Sequence, residues 1–172
     1  MDCIERHIRE ELERIREQLR SGDDREVLVW AIEGELACSQ RPWRDHPQFG
    51  GRQRVPPGAK HLVIAWVERM LDLGIRSVIC LLDTQQLPHY YGACQLHEEG
   101  LLGYYRARGL RVRRFSMTDY QRPNQNRMQE VLGAFRELPK PVLLHCSASI
   151  DRTAPVAAFI VSQTCCGPPF PR

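Results

Sequence analysis

Val142-Leu143-Leu144-His145-Cys146-Ser147-Ala148-Ser149-Ile150-Asp151-Arg152-Thr153 joins a short, fully apolar run to a helical run from Val156 to Val161. Apolar residues without polar alternation form strands buried on both faces, the habit of parallel sheets. The stretch therefore predicts strand, loop, helix. A cysteine closes the strand, five residues follow, and an arginine opens the helix. Five residues suffice to wrap a backbone around a tetrahedral anion with several N–H groups pointing inward. The helix N-terminus adds its partial positive charge. Arg152 offers a bidentate fork to two anion oxygens. The same field favours the thiolate of Cys146, which makes it a nucleophile. Thr153 is placed to donate its hydroxyl to that sulfur.

Upstream, Pro139-Lys140-Pro141 ends a helix that starts after Pro123 and aligns Met128, Leu132 and Phe135. Leu110 to Phe115 reads as a strand, preceded by a helix from Leu96 to Arg108 that stops at Gly109. Arg76 to Leu82 is a buried strand, followed by a polar loop through Asp83-Thr84-Gln85-Gln86 and Pro88. Ala59 to Leu73 is helical, with Leu62, Trp66, Met70 and Leu73 on one face and Gly74 as its stop. Residues 41–58 hold four prolines and three glycines and form a loop long enough for a functional role. Val27 to Ile32 and Leu36 to Cys38 are short strands about a turn at Glu33-Gly34-Glu35. Ile4, Ile8, Leu12, Ile15 and Leu19 give residues 4–20 the stripe of an amphipathic packing helix. This alternation predicts an α/β fold, a central largely parallel sheet flanked by helices, with ligands beyond the carboxyl ends of the strands. Residues 1–25 carry the N-terminal amphipathic helix and residues 26–172 the main domain, one globular unit overall.

Composition narrows the function classes. The chain has 172 residues, 42% hydrophobic and 26% charged, which supports one domain with a true core. Its 24 basic and 21 acidic side chains leave a net charge of only +3, so no nucleic-acid partner is expected. No apolar run reaches the roughly 18–20 residues of a membrane span, and the charged start Met1-Asp2-Cys3-Ile4-Glu5-Arg6 has no signal-peptide core. Seven cysteines, an odd number without extracellular addressing, argue for reduced thiols and a cytoplasmic location rather than a disulfide scaffold. The cysteines and the six histidines form no Cys-x-x-Cys pair or ligand cluster, so no metal or other cofactor is expected.

His145-Cys146, five residues, then Arg152-Thr153 resembles the signature loop of the cysteine-dependent protein tyrosine phosphatase superfamily, whose pattern is His-Cys, five residues, Arg-Ser/Thr. Small size points to its compact, dual-specificity-like branch. The resemblance implies a protein tyrosine phosphatase-like fold and hydrolysis of phosphomonoesters through a cysteinyl-phosphate, with Cys146 and Arg152 catalytic. Residues Ser147, Ala148, Ser149, Ile150, Asp151 and Arg152 would bind the phosphate, with His145 and Thr153 in support. It also implies a general acid on a separate loop some 25–35 residues before the cysteine. Asp119 lies 27 residues before Cys146, in Met117-Thr118-Asp119-Tyr120-Gln121-Arg122-Pro123, after one strand and before a helix. Asp83, at another strand end, is the reserve. Asp151 would orient the backbone or Arg152. Gln121, Asn124 and Asn126 would either position water or serve as loop and cap residues. The expected partner is a phosphorylated protein or peptide, with the oligomeric state left open.

Two departures stand out. The family usually carries glycine where this chain has Ser149, and often glycine where it has Ala154. An L-residue in the left-handed conformation costs roughly 1–2 kcal/mol. The tail after Ser162 is short, which implies an uncovered hydrophobic face. Three alternatives stand beside the protein phosphatase: a non-catalytic phosphate-binding module, a phosphoinositide phosphatase, and an RNA 5′-phosphatase. No lysine lies between Cys146 and Arg152, whereas inositide-selective loops are lysine-rich. An oxidised Cys146 would have Cys94, Cys165 or Cys38 as a disulfide partner.

Overall fold

The stripe over residues 4–20 winds into α1, Cys3–Arg20, in the computed structural model, which describes residues 2–165. Asp2 caps it, accepting from the Glu5 amide at 2.7 Å. A hairpin follows, β1 (Val29–Ile32) and β2 (Leu36–Ser39). Gly34 takes φ +71° in its turn, where a side chain would be strained. After the proline-rich loop come α2 (Lys60–Asp72) and β3 (Ser77–Cys80).

The polar loop expected through Pro88 is instead largely a short helix, α3 (Gln86–Tyr91). Pro88 falls in its first turn, where a missing N–H and fixed φ are tolerated. Next come α4 (Gly100–Ala107), β4 (Arg111–Arg114), α5 (Gln125–Glu137), β5 (Val142–His145) and α6 (Thr153–Cys165). The α4 helix starts later than Leu96 because Gln95 and Gly100 both adopt positive φ, which a continuous helix forbids.

The sheet order is β1-β2-β5-β3-β4, parallel except for β1 against β2. The α/β expectation with a largely parallel sheet holds. β5 lies between β2 and β3 and is buried throughout, which is why Val142-Leu143-Leu144 shows no polar alternation. Its side chains alternate between two cores. Leu143 faces the α2, α3 and α4 side, while Val142 and Leu144 face α1, α5 and α6.

α6 is apolar almost all round, and α1 packs against it. Ile8, Leu12, Ile15 and Leu19 of α1 are each 1–3% exposed, and each such burial contributes roughly 2 kcal/mol. Among the described residues the uncovered hydrophobic face is therefore not found. Among the described residues the exposed large hydrophobics are only Leu73 and Tyr120. The Gly167–Arg172 tail and Cys166 lie outside the described residues. No helix among the described residues is long and apolar enough to cross a membrane.

Candidate active site

Because β5 is central, the loop after it emerges between the carboxyl ends of β2 and β3. Both neighbours hold it. Leu81, just past β3, donates its N–H to the His145 carbonyl at 2.8 Å, and Arg41, just past β2, donates its N–H to the Ser147 carbonyl at 2.9 Å. Cys146, the first residue of the loop, is 2% exposed. The chain then turns so that the Ser149 N–H points at the Cys146 sulfur, 3.2 Å away. Ser149 and Arg152 are buried, while Ala148, Ile150 and Asp151 are half-buried along the rim.

Ser149 takes φ +70°, the left-handed conformation that its place in the signature pattern demands of glycine. Its side chain compensates by donating to the Ser39 carbonyl at the end of β2, while the Cys146 amide donates to its oxygen at 3.4 Å. The strain of roughly 1–2 kcal/mol and a hydrogen bond worth about 1 kcal/mol nearly offset each other. Ser149→Gly is thus expected to change stability by no more than about 1 kcal/mol. Ser149→Ala loses the same hydrogen bond but keeps the strain, and should be less stable than the glycine variant by about 1–2 kcal/mol. Urea unfolding of both variants checks the order; an alanine variant as stable as the glycine one would contradict it.

Arg152 is fully buried at the head of α6. One end of its guanidinium, Nη1, donates to the Leu81 carbonyl (3.3 Å), the Met117 carbonyl (3.1 Å) and Gln86 Oε1 (2.8 Å). The other edge, Nε and Nη2, makes no hydrogen bond. Nη2 stands 2.8 Å from Asp119 Oδ1, an ion pair whose N–H is not aligned as a hydrogen bond. Two buried donors on one edge of a guanidinium match the spacing of two oxygens of a tetrahedral anion.

The structure brings Asp119 to this edge on the loop between β4 and α5. Gln86 Nε2 donates to Asp119 Oδ2 at 2.8 Å, so Gln86 bridges acid and arginine. Arg52 reaches across and donates through Nε and Nη2 to the Tyr120 hydroxyl, at 3.2 and 2.8 Å. The cavity over Cys146 is bounded by Arg44, Arg52, Tyr90, Asp119, Tyr120 and the 146–151 loop, and holds about 30 Å³. That is room for about one water molecule. A wider groove of about 860 Å³ between α3 and α4 includes none of Cys146, Arg152 and Asp119.

Several expected roles fall elsewhere. Asp83 Oδ1 accepts from the Gln85 and Gln86 amides at 2.9 and 2.8 Å, so the reserve acid caps α3. The Asp151 carboxylate makes no ion pair with the Arg152 guanidinium; it faces Arg9 of α1, at 3.8 Å. Thr153 Oγ1 is buried with no hydrogen-bond partner, the cysteine sulfur included, and that sulfur faces the Ser149 amide. Asn124 accepts from the Arg127 amide at 2.9 Å as the N-cap of α5. Among the described residues no group of three or more His, Cys, Asp or Glu is placed to hold a metal.

His145 sits fully buried beneath the loop. Nδ1 faces the Cys146 carbonyl at 3.0 Å and Nε2 the Tyr105 hydroxyl at 3.1 Å. Burial brings its pKa down to about 4, so the imidazole is neutral at pH 7. A neutral ring donates from Nδ1 to the carbonyl and accepts at Nε2 from Tyr105, whose own hydroxyl burial keeps protonated. It orients the loop and adds no charge to favour a thiolate. Burial also raises the Cys38 thiol far above its usual range and pushes Cys80 up to about 12, which separates these strand cysteines from a nucleophile's role. Of the three disulfide partners considered, only Cys38 shares a core with Cys146. Cys94 faces the Val55 and Pro56 carbonyls, and Cys165 ends α6.

Sequence reasoning missed Gln86, Tyr105 and Arg41. Arg41 is 1% exposed, stacks 3.5 Å over the Tyr90 ring, and donates to Ser147 Oγ (3.2 Å) and the Gly51 carbonyl (2.8 Å). It ties the proline-rich loop to the 146–152 loop. A signal existed for two of them. Arg41 and Gln86 each follow the carboxyl end of a strand neighbouring β5, the edge where parallel sheets gather ligand residues.

No family model matches the chain, and no curated protein matches it by sequence. Solved structures do. Tk-PTP in its active form aligns with a TM-score of 0.50 over 77% of this chain and 71% of that one, at 20% identity. Kinase-associated phosphatase, with its catalytic-site cysteine substituted by serine, aligns with a TM-score of 0.54 at 18% identity. That alignment covers 73% of this chain and 64% of the other, just under two thirds of its length. The chain has the fold of the cysteine-dependent protein tyrosine phosphatases.

Proposed function

We propose that the protein is a metal-independent phosphomonoester hydrolase of the protein tyrosine or dual-specificity type. The observation that carries this reading is the Nε–Nη2 edge of Arg152, buried without a hydrogen bond and faced by the Asp119 carboxylate. A buried N–H donor left without a partner, as Nε is, costs about 1–3 kcal/mol unless an anion takes it, and Nη2 beside it already faces a carboxylate. Cys146 and Asp119 flank the place that anion would fill.

Asp119 now stands beside Nη2 of Arg152, where a phosphate oxygen would sit, so a substrate that takes both donors must displace the acid loop from the arginine. With phosphate on the Arg152 fork, Cys146 Sγ attacks phosphorus as the bond to the leaving oxygen breaks. The neutral carboxyl of Asp119 gives that oxygen its proton. Loop N–H groups and Arg152 take up the charge on the equatorial oxygens. Water then attacks the cysteinyl-phosphate, the S–P bond breaks, and Asp119 accepts the water's proton. Inorganic phosphate leaves and the thiolate returns. Phosphotyrosine in a protein or peptide is the favoured substrate, with phosphoserine and phosphothreonine within reach of a dual-specificity site.

Rapid acid quench during turnover of an aryl phosphate, without added metal, is expected to trap phosphate on the Cys146 peptide in mass spectra. A second reading, a module that binds phosphate without hydrolysis, draws on strained Ser149 and on Asp119 seated on Arg152. Phosphopeptide binding with neither phosphate release nor a phosphocysteine would establish that module and overturn the hydrolase.

A further inference from the structure

Glu5 of α1 lies outside the site cavity, yet it is only 1% exposed. It occupies the buried face of the helix with Ile8, Leu12, Ile15 and Leu19. A carboxylate at such a position loses several kcal/mol of hydration unless cations replace it. Packing α1 against α6 needs no charge there, since an apolar side chain would serve. Of the two cations that Glu5 gathers, one lies a turn further along α1 and the other comes from elsewhere in the chain. Its Oε1 accepts from Arg9 Nε at 3.1 Å and from Arg122 Nη1 at 2.8 Å, while Oε2 is buried without a partner. Arg122 lies 117 residues away, on the loop that carries Asp119. Arg9 continues the chain of charges to Asp151 of the phosphate loop, at 3.8 Å.

We propose that Glu5 is a positioning residue that fixes the acid loop against the phosphate loop. The inference rests on the reading of Asp119 as the general acid. That loop must withdraw for substrate and return to one place for proton transfer. Tyr120 is tied to Arg52 only at the exposed surface, whereas Arg122 is tied to a carboxylate built into the core side of α1. With Arg122 held there, the loop pivots about one fixed point, so that Asp119, once phosphate has displaced it from Arg152, comes to a single position beside the leaving oxygen. The N-terminal helix is then part of the catalytic apparatus as well as a cover for α6.

A general acid matters most when the leaving group is poor, so leaving-group dependence isolates the effect. Wild type, Glu5→Gln and Arg122→Gln are compared on 2,4-dinitrophenyl phosphate, which needs little protonation, and on phenyl phosphate, which needs it. Displacing the acid by about an ångström should lower phenyl phosphate turnover about ten- to a hundredfold. In kcat/KM, which ends at departure of the phenolate and so excludes the later base role of Asp119, the dinitrophenyl ester should fall less than about twofold, because its departure does not depend on the proton. Loss of folded protein scales both substrates alike, so the ratio is insensitive to it. Arg122 is exposed, so its variant keeps the test sound where Glu5→Gln folds poorly. Equal losses on both esters, or none, would overturn the proposal. Amide hydrogen exchange across residues 116–123 gives a reading without catalysis. It should quicken in both variants while α6 stays protected. Absent wild-type turnover sinks the hydrolase reading by itself, and unchanged exchange then sinks the latch.

Discussion

Cys146→Ser is expected to lower aryl phosphate turnover about 10⁴-fold or more while leaving phosphopeptide binding intact. The two side chains differ by one atom, and the residue is 2% exposed in a loop held by Leu81, Arg41 and the Ser39 carbonyl. None of those contacts uses the sulfur. The Ser149 N–H that points at Sγ from 3.2 Å would meet a hydroxyl oxygen instead. Loop shape and the Arg152 fork should therefore survive. Chemistry should not. A serine hydroxyl remains protonated at neutral pH, and no side chain stands ready to take its proton, since His145 is spent on the Cys146 carbonyl and Tyr105. Phosphate release and calorimetric titration with a phosphotyrosine peptide measure the two halves separately. Turnover within tenfold of wild type would remove Cys146 from the reaction.

How much of this was legible in the chain depends on how far apart the partners are. Val142 to Thr153 carries strand, nucleophile, loop and arginine within a dozen residues, so local pattern conveys both the element types and their chemistry. The periodic helices and apolar strands were legible for the same reason, because period 3.6 and unbroken hydrophobicity are local properties. α3 was missed because Pro88 and its polar flanks carry the signature of a turn, and only its packing of Tyr90 and Tyr91 into the core makes it helical. Gln86, Tyr105, Arg41 and Glu5 act across 40 to 117 residues. No spacing rule links Glu5 to Arg122. That pair exists because α1 covers α6, and the stripe of α1 announces a buried face without saying what it will be buried against. Ser149 shows the complementary case. Its conflict with the glycine pattern was visible, but the Ser39 carbonyl that offsets the strain belongs to a strand 110 residues away.

The second large effect separates charge from geometry at the anion clamp. Arg152→Lys keeps a cation at the head of α6, yet should lower kcat/KM for aryl phosphates about 10³-fold. Arg152 divides its guanidinium between two tasks. Nη1 braces the Leu81 and Met117 carbonyls and Gln86, which fixes the plane of the group, and the Nε–Nη2 edge is left for the anion. A lysine ammonium has three donors radiating from one atom and cannot brace those acceptors while presenting two parallel N–H groups. Gln86 and Asp119 would also lose their common partner, so proton donation should deteriorate with oxyanion binding. Both losses fall on the transition state. The decrease should therefore appear mainly in kcat, with a smaller rise in KM. Steady-state kinetics on an aryl phosphate, with far-ultraviolet circular dichroism to establish folding, provide the measurement. A folded variant that loses less than tenfold would show that charge alone suffices at this position, and the Nε–Nη2 edge of Arg152 would no longer support a bidentate clamp.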